Sequence, residues 1–153
     1  MKDLNEKTIS TLNSLIETCK DGAKGYKAAA EDAKDVELQT LFQQYAAERE
    51  SFVRELQQAV RAMGGDPDKS GSVIGRVHRG WLDIKAAISS NEPHAVLAEC
   101  ERGEDAAVKA YRDASRETLS PQATTLILRQ LAAVQAAHDR VRALRDSVVY
   151  QKT

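Results

Sequence analysis

The sequence predicts an all-α protein: four long helices in a bundle, with an additional helix in one long connection. Apolar residues recur at three- and four-residue steps over five segments, the spacing of amphipathic helices. No segment alternates with the period of two that a half-buried strand needs. The chain has 153 residues with only 8 Gly and 3 Pro, enough length for one domain over 1–153 and few interruptions to long helices.

The first helix is expected over 3–33, where Leu12, Ile16, Cys19, Ala23, Tyr26 and Ala30 form one apolar face. Gly22 and Gly25 interrupt it. Each costs about 1 kcal/mol against Ala inside a helix, which points to something packed closely there. A break at KDVE, with Asp35 as N-cap, opens the second helix over 36–63 on Leu38, Leu41, Phe42, Tyr45, Phe52, Leu56, Val60 and Met63. GGDPDKSG ends it. Val73, Val77, Trp81, Ile84 and Ile88 predict a shorter helix over 72–89. SSNEP stops that helix, with Asn91 as the next cap and Pro93 in the first turn. Val96, Cys100, Ala107 and Tyr111 carry the helix over 92–117. After LSPQ, with Ser120 as cap and Pro121 first in the helix, the last helix covers 120–149 on Ile127, Leu131, Val134, His138, Val141 and Leu144.

Connection lengths set the topology. The breaks near 34 and 119 are short and force two antiparallel hairpins. Helices of about 25 to 30 residues are roughly 40 Å long, and the segment 64–91 can return along that length. Two hairpins joined by one long crossover is the ferritin-like arrangement; a five-helix up-and-down array is the alternative.

Composition excludes several classes. The 22 basic and 23 acidic residues nearly cancel, so nothing supplies the basic surface that phosphate neutralisation requires. No stretch approaches the roughly 20 apolar residues that span a bilayer. MKDLNEKTIS has neither a basic cluster nor an apolar run, so neither a signal peptide nor a basic arm is expected. Cys19 and Cys100 follow no zinc spacing and read as reduced thiols of a cytoplasmic protein. No nucleophile with base and orienter can be assembled, and GGDPDKSG lacks the step into a helix that a P-loop needs. No catalytic residue is assigned.

The stretches LIETCKDGAKGYKAAAED, SGSVIGRVHRGWLDIKAAI, LAECERGEDAAVKAYRDA and QLAAVQAAHDRVRALRD resemble a family of bacterial four-helix-bundle proteins of ferritin-like type, described only as a domain of unknown function. The similarity covers nearly the whole chain, and Gly75 to Trp81 is its specific part. It implies a ferritin-like fold and a bacterial cytoplasmic protein, and no activity. Better-known ferritin-like proteins store iron, reduce oxygen or peroxide, or are induced by stress. Those roles carry over only where their ligands are present.

A di-metal carboxylate bundle takes a Glu from each of two helices and Glu-x-x-His from each of the other two. Here Glu48, Glu101, Glu104 and His138 are the candidate metal ligands, for iron or another divalent ion. Gln135 stands where Glu should precede His138, and Ser51 stands where His should follow Glu48. The hairpin about 119 places Glu104 level with Val134 and Gln135, and His138 level with Cys100 and Glu101. This short ligand count favours a polar core network around a vestigial or absent site, with no cofactor. On the crossover, Trp81 anchors the helix on the bundle, or Arg79 and Trp81 form an interface with a partner or a second copy. The expected function is a non-enzymatic assembly or partner-binding bundle, stress-related, without nucleic-acid or membrane partners. The alternative is a divergent ferritin-like metal protein that handles iron or acts as an oxidase.

Overall fold

A computed structural model of the chain describes residues 3–69 and 81–150, which are helical without any strand. Helix α1 spans Leu4–Asp32, α2 Val36–Ala62, α3 Ile84–Ser89, α4 Pro93–Ser115 and α5 Pro121–Asp146, followed by a 3-10 turn over Val148–Tyr150. Asp3 starts α1 by accepting from the Glu6 amide at 2.7 Å. Asp35 caps α2 by accepting from the Glu37 and Leu38 amides, and Ser120 caps α5 ahead of Pro121.

Three boundaries depart from the sequence expectation. Asn91 is not the cap of α4: it sits at φ 60°, and Glu92 takes the cap position with an extended backbone. Pro93 causes this, because its ring disfavours helical geometry in the residue before it, and Asn tolerates the left-handed region. Of the helix expected over 72–89, residues 70–80 lie outside the described residues, and a turn through 81–83 leads into the six-residue α3. The last helix stops at Asp146, three residues early. Its end is set by Tyr150, which tucks in and donates from its hydroxyl to Asp35 at 2.6 Å, drawing the chain across the start of α2.

Helix α1 packs most extensively on α2, and α4 on α5. Along α1, Thr8, Thr11, Cys19 and Tyr26 meet Ser120, Glu117, Tyr111 and Glu104 in turn. The second series descends as the first ascends, so α4 is antiparallel to α1 and runs in the same direction as α2. The order is up, down, down, up, and the two middle helices are joined by the long crossover. Contact between α2 and α5 is sparse.

The core has two apolar clusters. One, toward the α4–α5 turn, holds Leu12, Ile16, Phe52, Leu56, Val60, Tyr111, Ile127 and Val134. The other, toward the α1–α2 turn, holds Tyr26, Leu38, Phe42, Trp81, Leu97, Cys100 and Val141. Burying such side chains is worth about 1.5–3 kcal/mol each, which drives helices of modest propensity together. Charged residues occupy the level between the clusters.

Candidate functional site

At mid-bundle the three helices α1, α2 and α4 contribute Tyr26, Arg49 and Glu104, which are 0%, 1% and 0% exposed. Nη2 of Arg49 donates to both Glu104 oxygens, at 2.7 and 2.6 Å, and the Tyr26 hydroxyl donates to Oε2 at 2.5 Å. The guanidinium also lies 5.7 Å from the centre of the Tyr26 ring, within cation–π range. Gly22 makes room for it, since a Cβ there would stand 3.0 Å from Nη1. Burial opposes the Arg49 charge, but the adjacent Glu104 carboxylate outweighs it and raises the pKa. Burial, reinforced by Glu104, pushes the Tyr26 phenol well above its usual value. The group is therefore a fixed ion pair with a neutral phenol.

A second polar chain runs from this level toward the α4–α5 turn. The Tyr111 hydroxyl donates to Gln130 Oε1 at 2.7 Å, so the Cys19 thiol, 2.9 Å from that hydroxyl, donates to it. Gln130 passes its amide on to Glu55 at 3.1 Å and to the Phe52 carbonyl. Burial pushes the Cys19 thiol up to about 11, which makes it a hydrogen-bond donor rather than a nucleophile.

The four residues expected to share a metal are split among three places. Glu104 belongs to the central ion pair. Glu48 is half-buried with Oε1 unpartnered among the described residues, and burial raises its pKa. Glu101 is held by Arg145, with Arg142 at 3.9 Å. His138 projects to the flank between α4 and α5, where Nε2 meets Asp105 at 2.6 Å and Nδ1 meets Asp139 at 3.0 Å. Burial depresses the imidazole, yet the hydrogen bonds to Asp139 and Asp105 outweigh it and hold the pKa above 6.5.

Of the residues expected level with His138, Glu101 does bring a carboxylate oxygen within 4.8 Å of the imidazole, but the hydrogen bond goes one turn further along α4, to Asp105. Side chains lean toward the N-terminus of their own helix. In an antiparallel hairpin those leans are opposed, so contacting residues sum to more than the Cα register about the turn suggests. Donor atoms of Glu101, Asp105 and His138 do lie within 4.8 Å of one another, the arrangement that could take a divalent ion. Asp105 was not among the expected ligands.

Trp81 is 9% exposed and wedged between α1 and α4. A Cβ at Gly25 or at Gly103 would fall 2.2 Å from its indole, so both glycines form its slot. Its ring stands edge-on to Tyr26 at 5.1 Å. As a partner-facing residue Trp81 is therefore corrected, because this chain covers its faces; Arg79 lies outside the described residues. Gly25 carried a readable signal, whereas Gly103 sat unremarked in an acidic run.

Arg49 is the residue that sequence reasoning missed. The second helix shows it one position after Glu48, where an arginine reads as part of a solvated face, and the only hint was the small residue opposite it at Gly22.

A family model described as a domain of unknown function, DUF2383, matches residues 7–117, from the first turn of α1 to just beyond α4. No curated protein matches the chain.

Proposed function

The chain belongs to the DUF2383 family, and from that premise we propose that it is a ferritin-like bundle that works by assembly or partner binding rather than by catalysis. The up-down-down-up order with one long crossover supports the ferritin-like reading. The observation that carries the rest is the Arg49–Glu104 pair. A guanidinium supplies, inside the bundle, the positive charge that carboxylates at this level of a metal-holding relative receive from an ion. Both oxygens of Glu104 are engaged by Nη2, and a divalent cation placed there would face that guanidinium across a dry interior. The central layer does not fit a metal. This reading places the protein in the bacterial cytoplasm, in a stress-related role.

A second reading is favoured by the flank cluster, where Glu101, Asp105 and His138 could hold one divalent ion once the imidazole has lost its proton. Arg142 and Arg145 compete for Glu101 there.

Elemental analysis after anaerobic and aerobic Fe(II) loading tests both readings. The first expects no stoichiometric iron and no oxygen consumption. Iron lost in Glu104→Gln overturns it. Iron kept in Glu104→Gln but lost in both Asp105→Asn and His138→Ala assigns the metal to the flank instead.

A further inference from the structure

The seam between α2 and α5 is the loosest in the bundle, and at the α1–α2 end it opens into a groove of about 360 Å³. Val36, Leu41 and Leu144 line it, with Glu37 on the α2 wall and Arg140 on the α5 wall. Beside it stands the 3-10 turn, fixed by the hydrogen bond from Tyr150 to Asp35. That turn presents Val148 and Val149 at 85% and 79% exposure, and its Tyr150 lines the groove together with Val36, which is 71% exposed. Single exposed apolar residues are ordinary, but an exposed valine in the groove lining and two more on the turn whose Tyr150 also lines it make an apolar surface of the kind that marks an interaction site.

We propose that this face is a two-fold interface between copies of the chain, with the Val148–Val149 turn of each copy seated in the α2–α5 groove of the other. The proposal deepens the assembly reading above and rests on it. Three features select a second copy as the occupant. The same face carries both a projection and a recess, the condition for an isologous contact. The rim is charge-complementary to itself: neither Glu37 nor Arg140 is held in an ion pair among the described residues, and a two-fold axis sets each against the other's counterpart twice. A net charge of −1 leaves little repulsion between copies.

Sedimentation velocity from low to high micromolar chain tests this directly. The wild type is expected to dimerise, and Val148→Asp with Val149→Asp to weaken the dimer by about 100-fold or more. Glu37→Arg alone should weaken it about tenfold, and Glu37→Arg with Arg140→Glu should restore it to within about threefold. Far-UV circular dichroism and Trp81 fluorescence verify that each variant is folded. A wild type that stays monomeric, or a dimer that the two valine substitutions leave intact, overturns the interface. Failure here is separable from failure of the preceding reading. A monomer that takes up no iron loses this interface and keeps the metal-free bundle; a groove-dependent dimer that loads iron through Glu104 does the reverse.

Discussion

Two of the cation–carboxylate groups that tie α4 to its neighbours differ in what surrounds them. Arg49 meets Glu104 in the dry centre, at 1% and 0% side-chain exposure, while His138 meets Asp105 on a flank where the aspartate is 63% exposed. In the first, neither charge can be relinquished without stranding the other in a low-dielectric interior. In the second, water supports the aspartate when it is left alone, and the imidazole can shed its proton. Similar chemistry thus makes a rigid structural layer in one place and a titratable latch in the other.

The difference is largest on deleting one partner. Arg49→Ala strands Glu104 and is expected to cost about 3–5 kcal/mol in chemical denaturation, enough to threaten folding of a domain this size. The double variant Arg49→Leu with Glu104→Leu should recover most of that loss, since apolar residues of similar volume often replace a buried pair without penalty. A single variant as stable as the wild type would show that water reaches the centre and that the two regions do not differ as drawn.

The helices and hairpins were legible because they rest on local signals: the apolar stripe of Leu12, Ile16, Cys19 and Tyr26, the caps Asp35 and Ser120, the short turns. The central pair was not legible. Whether a polar residue near a helix stripe turns inward depends on helix rotation, which here leaves Glu48 at the margin and puts Arg49 at the centre. Spacing alone favoured Glu48 because a carboxylate matched an expected ligand. Asp105, the hydrogen-bond partner of His138 one turn beyond Glu101, was missed for a different reason, the opposed lean of side chains across the α4–α5 hairpin. The slot for Trp81 was half visible, in Gly25 but not in Gly103.

That slot sharpens the comparison at intermediate energy, because it clamps the central layer from the side of Tyr26. Gly103→Ala should drive a methyl into the indole and cost about 1–3 kcal/mol as the ring is displaced. Trp81 is the sole tryptophan, so its fluorescence reports the event: a red shift of emission in the folded variant is expected. An unshifted spectrum at unchanged stability would mean that α1 and α4 can separate at no cost, and that the clamp is slack.

The smallest effect belongs to the flank and appears only against pH. The folded pKa of His138 lies above the ordinary 6.5, raised by Asp139 and Asp105 against the pull of burial. The protonated imidazole is therefore favoured in the folded chain. Its stabilisation is complete below 6.5 and fades as pH rises through the folded pKa. Screening on the flank keeps the contribution of the His138–Asp105 contact near about 0.5 kcal/mol, a shallow fall in stability across that window. His138→Gln should flatten the fall, and Asp105→Asn should lower the imidazole pKa read by NMR, because one of its two hydrogen-bonded carboxylates is gone. The Arg49–Glu104 pair supplies the contrast within the same titration, since its guanidinium stays charged throughout and contributes no slope of its own. A fall that survives in His138→Gln would place the titrating group elsewhere and remove the latch from the flank.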